Sequence, residues 1–161
     1  MEDKHLYKSK RFDNGEWVVG RLLRISATLK FGANESEPII SHGIEYDNGY
    51  YSIFDDTLCR CTGEKDRNGK LIFEGDIMQN DDGAICFVRF CEYEDDYGDK
   101  HCGFNLFFET FKDVAPLSII KECEYKITGN IHDNVKGAFA PINNDNSWYR
   151  NNNQGDKTRK D

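Results

Sequence analysis

The side chains able to do chemistry are six cysteines, Cys59, Cys61, Cys86, Cys91, Cys102 and Cys123, and four histidines. Cys59-x-Cys61 with His101-Cys102 has the composition of a tetrahedral zinc set. The spacing argues against it, because a zinc knuckle wants roughly two to four residues between its paired cysteines. On a strand, Cys59 and Cys61 share a face, but adjacent His101 and Cys102 point to opposite faces. No metal and no cofactor are therefore expected, and Cys86, Cys91 and Cys123 read as small buried hydrophobes. Nucleophilic catalysis needs a thiol or hydroxyl, a base and an orienting group that meet in space, and no local signature marks such a set. His132 reads as a surface turn residue. The glycines are isolated and lead into no helix, so no phosphate cradle is written here. The sequence predicts a protein that is not an enzyme.

What remains is a run of five acids with two tyrosines: Glu92, Tyr93, Glu94, Asp95, Asp96, Tyr97 and Asp99. Without a base inside it, the run reads as an exposed hairpin loop. As a contact patch, its carboxylates would steer a basic partner while the Tyr rings supply anchoring area. These seven residues are the candidate partner-binding site. By imitating the spacing of phosphates, they could occupy the groove of a nucleic-acid-binding protein.

The elements that must carry this patch are strands. The chain of 161 residues is 38% hydrophobic, with eleven Phe and eight Tyr against two Met and three Pro. That aromatic weight favours pleated, half-buried surfaces over helical bundles. Net charge is −8, and the last 21 residues are slightly basic, which leaves the first 140 at −9. So acidic a body repels phosphate backbones, and direct nucleic-acid binding is disfavoured. No run of apolar residues is long enough to cross a membrane, and the start Met1-Glu2-Asp3-Lys4-His5 lacks a signal-peptide pattern. The expected location is the cytoplasm, with reduced thiols.

Turn signals divide the chain into short strands. Asp13-Asn14-Gly15 leads into a strand or bulged pair over 15–25. Residues 31–38 read as a loop and 39–44 as a strand. Asp47-Asn48-Gly49 is a turn before a strand at 50–54. Asn68-Gly69 carries a type I′ signature, and Asp81-Asp82-Gly83 precedes the clearest strand, Ala84 to Phe90. Phe104 to Phe111 is a strand or a short helix, and Tyr125 to Ile131 closes the ordered part. Trp17, Phe73, Val88, Phe90, Ile127 and Ile131 are the expected core. The architecture this predicts is mainly β (β or α+β), a partly open barrel or sandwich of small strands. Its divisions are a meander over 1–60, a barrel-like unit over 61–135 and a disordered polar tail over 141–161.

Three stretches together resemble the YopX-like family of phage and prophage proteins. They are Lys10-Arg11-Phe12-Asp13-Asn14-Gly15-Glu16-Trp17-Val18-Val19-Gly20, the segment Thr62 to Ile77 with its Phe73-Glu74-Gly75-Asp76-Ile77 ending, and Tyr125 to Asn134. Glu64 stands where the family usually has Leu, and Val135-Lys136-Gly137 replaces its customary ending. The resemblance implies a mainly β protein encoded by a phage or integrated element, and it brings no catalytic residues. With the acidic run, it leads to a non-enzymatic accessory protein that binds a host or phage protein and inhibits a host defence factor. A nucleic-acid-binding small β-barrel module is the alternative. Exposed strand edges and aromatic surface also fit a homo-oligomer.

Overall fold

The computed structural model describes residues 2–27, 30–31, 34–35, 39–109 and 113–134. The expected tail at 141–161 lies outside the described residues. Among the described residues the fold is mainly β: two large antiparallel sheets, neither closed into a barrel, with short helical turns. One sheet holds β1 (Leu6–Lys10), β2 (Trp17–Ala27), β5 (Ile39–Tyr46), β6 (Gly49–Ser52), β7 (Cys59–Lys65) and β8 (Leu71–Phe73), in the order β6-β5-β2-β1-β7-β8. The other holds β9 (Asp76–Gln79), β10 (Ile85–Glu94), β11 (Lys100–Phe108), β12 (Asp113–Pro116) and β13 (Lys126–Asn130), in the order β12-β11-β10-β9-β13. Between β2 and β5 lies a small pair, β3 (Lys30–Phe31) and β4 (Asn34–Glu35), overlapping the segment 31–38 expected to be a loop. The chain passes from one sheet to the other at Glu74-Gly75, later than the expected division near residue 60, because β7 and β8 stay with the N-terminal strands.

Three turns share one construction. Asp66, Asn80 and Asp95 each begin an Asx-x-x-Gly turn that ends at Gly69, Gly83 and Gly98, whose φ values are 79°, 85° and 84°. In each, the Gly N–H donates to the carbonyl of that first residue. The side-chain oxygen of the first residue accepts the N–H four positions on. Asn68-Gly69 is consequently not a type I′ turn, because Gly69 takes positive φ and Asn68 does not. The pair that does is Asp47-Asn48, at φ 47° and 60°, in the two-residue hairpin closed by Tyr46 and Gly49.

The largest core gathers Met78, Cys86, Val88 and Leu106 from the second sheet. Ile72 joins them from the first sheet, with Leu117, Ile120 and Tyr125 from the turn before β13. A second core is Val18, Ile44 and Ile53, and a third is Cys59, Cys61 and Phe73 packed by Trp17 and Val19. Phe73 and Val88 are buried as expected, while Trp17, Ile127 and Ile131 are half-buried. Phe90 is not a core residue, being 39% exposed. β9 pairs β10 only over Ile85–Phe87, so Phe90 lies beyond the core layer, and the Arg60 guanidinium covers it 4.2 Å from the ring centroid. Cys123 is exposed rather than a buried hydrophobe.

Two parts of this fold are only two strands wide. Among the described residues, β1 pairs β2 over Trp17–Arg21 and β6 pairs β5 over Gly43–Tyr46, so 24–27 with 39–42 project as a ribbon. Likewise β12 pairs β11 only from Asn105 onward, so 90–94 with 100–104 form a second ribbon. Glu92, Tyr93 and Glu94 belong to β10 rather than to a loop. Cross-strand pairing with Cys102, His101 and Lys100 carries the ladder to Glu94 and leaves only 95–99 for the turn.

Candidate functional site

β1 alternates Lys8 and Lys10 onto the face of the first sheet that also carries Trp17, Val19 and Cys59, as the pairs Lys8↔Val19, Lys10↔Trp17 and Lys8↔Cys59 show. The second sheet seats β9 and β13 against this face. There Lys8 Nζ donates to Asp76 Oδ1, and Asp76 is wholly buried. The other carboxylate oxygen accepts the Phe73 N–H at 2.8 Å, and Asn130 Nδ2 donates to Oδ1 at 2.9 Å. The ammonium also lies over two rings, 4.8 Å from the Trp17 centroid and 5.1 Å from that of Phe73. A charge removed from water needs such partners, since an unpaired buried carboxylate is among the costliest groups a fold can hold.

The network continues through the closing turn. The Asn130 N–H donates to Asp133 Oδ2 at 2.7 Å, and Trp17 Nε1 donates to Asp133 Oδ1 at 2.9 Å. The Asn130 side-chain carbonyl accepts the His132 N–H at 2.9 Å. Gly75 allows the two sheets to meet so closely. Its φ is 80°, its N–H donates to the Val88 carbonyl at 2.7 Å, and its carbonyl accepts the Ile131 N–H at 3.0 Å. His132 is not the surface turn residue expected. It is half-buried, its Nδ1 is buried without a partner among the described residues, and desolvation holds its pKa below the ordinary 6.5, against the opposing pull of Asp56.

Lys10 and Trp17 come from the opening motif, Phe73, Gly75 and Asp76 from the central one, and Asn130, His132 and Asp133 from the closing one. Residues 7–136 match the family described as YopX protein. The chain belongs to the YopX family. No curated protein matches it. In this YopX chain the three motifs meet at one buried polar junction, so their residue types answer to the joining of two sheets.

The chemistry of that junction is quiet. Burial pushes the Cys59 thiol up to about 12, so it stays protonated at neutral pH and is a poor nucleophile. The Cys86 thiol is likewise pushed up to about 12 by burial, and that of Cys61 is raised for the same reason. Cys59 and Cys61 sit in the third core while His101 and Cys102 lie on the second ribbon, so the zinc-like set is not brought together.

The seven candidate contact residues divide between two surfaces. Tyr93 stacks on His101 with ring centroids 5.1 Å apart, on the face that carries Phe87 and Phe107. Glu92 and Glu94 alternate to the opposite face, paired with Cys102 and Lys100. Asp95 builds the turn. Its Oδ1 accepts the Tyr97 and Asp99 N–H groups at 3.0 Å, and the His101 ring at 2.8 Å holds its carboxyl below the usual carboxylate range. Asp96, Tyr97 and Asp99 are exposed at the tip, Tyr97 by 92%. Lys8 went unnoticed in the sequence, although Lys8-x-Lys10 is the period-two signal that sends both ammonium groups to one face of a strand.

Proposed function

We propose that this YopX protein is a non-enzymatic accessory protein of a phage or prophage that works by protein–protein contact in the cytoplasm of its host. The partner is a host or phage protein, and inhibition of a host defence factor is the form of contact that an acidic surface suits best. The observation that carries the reading is the pair of projecting ribbons. Two-stranded ribbons are marginally stable alone and display apolar side chains that a core would otherwise absorb. The first leaves Ile25 and Ile40 exposed by 40% and 44%, with Leu23 exposed at its base, and the second ends in Tyr97 and the tip acids. Self-pairing of the free strand edges would give a homo-oligomer, a companion to partner binding rather than a rival.

The test is affinity capture from host lysate by the intact protein, beside a variant with Glu92, Glu94, Asp96 and Asp99 changed to Ser. Asp95 is kept because it builds the turn. Loss of a captured protein in the variant supports the reading. Equal recovery by both removes the acidic ribbon from it, and salt-sensitive binding of plain DNA or RNA by the intact chain overturns it in favour of a nucleic-acid-binding module.

A further inference from the structure

The outer face of the second sheet carries one apolar row across four adjacent strands. Register places Val114 beside Phe107, Phe107 beside Phe87, and Phe87 beside Ile77. The two rings lie 5.1 Å apart between centroids. All four side chains are half-buried, and none belongs to any of the three cores, which take the alternate residues Met78, Cys86, Val88 and Leu106. Along β10, two residues before Phe87 on the same face, Ile85 is 57% exposed. In the other direction the same face runs past Arg89, which lies over Phe107 at 5.9 Å, to stacked Tyr93 and His101 and then to the tip acids. Residues 90–104 carry five acids and one Lys, a net charge of −4.

We infer that this face is the docking surface for a basic, amphipathic segment of the partner protein, an inference that rests on the contact reading above. The segment's apolar side chains seat on Phe87 and Phe107, and its cationic end reaches Asp96 and Asp99. Aromatic rings on a sheet also suit stacked bases, but a ribbon at −4 beside the row in a chain at −8 opposes a polyanion and complements a cation. Charge complementarity therefore selects the protein segment. Phe87 and Phe107 supply the anchoring area, as buried aromatics do at interface centres.

Fluorescence anisotropy with three labelled probes tests this on the full chain: an alternating Leu/Lys peptide, its Leu/Glu analogue and an oligothymidylate strand. The Leu/Lys peptide is expected to bind, and F87S/F107S to weaken it about tenfold or more, as loss of aromatic anchors does. The four-acid Ser variant is expected to weaken it and flatten its salt dependence. Phe12→Ser, at an exposed ring outside the sheet, is the control and leaves binding unchanged. Near-native circular dichroism of F87S/F107S, whose changes spare the inner core, shows that the fold is kept. Undiminished peptide binding by F87S/F107S would mean plain charge attraction and overturn this docking face while leaving the contact reading standing. Oligothymidylate binding tighter than the Leu/Lys peptide would overturn both.

Discussion

Replacing Lys8 by Met tests what the buried junction does. The substitution keeps the apolar stem between Trp17 and Phe73 and removes only the ammonium. Asp76 is then left at 0% exposure with two donors, Phe73 N–H and Asn130 Nδ2, and no paired cation among the described residues. Removing one partner of a buried ion pair costs about 3–5 kcal/mol. The two surviving hydrogen bonds and the retained stem place Lys8→Met at the low end, about 3 kcal/mol. For a domain whose whole stability is about 5–15 kcal/mol, that is a large fraction. Urea unfolding followed by Trp fluorescence reads the loss as a lower midpoint at unchanged slope. In the double variant Lys8→Met with Asp76→Asn no orphan charge remains, so the pair costs less than the two single losses added, with a coupling of about 2 kcal/mol. A single-variant loss under about 1 kcal/mol, or simple additivity in the cycle, would refute the junction as a charge-paired clamp.

Three further outcomes follow from the same geometry. At native pH, a maleimide should label Cys102 and Cys123 quickly, while buried Cys59, Cys61 and Cys86 react only after unfolding, read by intact mass. His132 is held below its ordinary 6.5 in the folded chain, so as pH falls the unfolded chain takes the proton first. Its contribution to stability is complete above about pH 6.5 and declines below it; urea midpoints across about pH 7.5 to 5 should show a fall that His132→Asn flattens. Gly75→Ala forces φ 80° on an L residue and sets its Cβ 3.0 Å from Ile131 Cγ1, whereas Gly69→Ala shares the φ, 79°, with nothing within 4 Å. Thermal unfolding should show about 2–3 kcal/mol lost at Gly75 and about 1 kcal/mol at Gly69, and equal losses would show that the sheet junction tolerates a side chain there.

Much of the strand framework was legible because it is local. Alternation over Ala84 to Phe90, Asx-Gly pairs and the closing Tyr125 to Ile131 depend on neighbours within a few residues. Asn68-Gly69 misled about turn type because Asp66, two positions earlier, decides it through its carboxylate. Phe90 was misread because its burial depends on where a different strand, β9, stops. The acidic run was visible as composition, but its division between two faces depends on how far the β10–β11 ladder continues.

By itself, the sequence determined the mainly β character, the turn sites, the acidic charge and the three motifs, since residue type and short spacing set all of them. Only the tertiary structure decided that Lys8, Trp17, Asp76, Asn130 and Asp133, separated by up to 125 positions, share one buried junction. It also decided that Phe87 and Phe107 stand in one row on an outer face. Such groupings rest on register and on the docking of one sheet against another, and free energy of that kind resides in contacts between distant segments that no local pattern records.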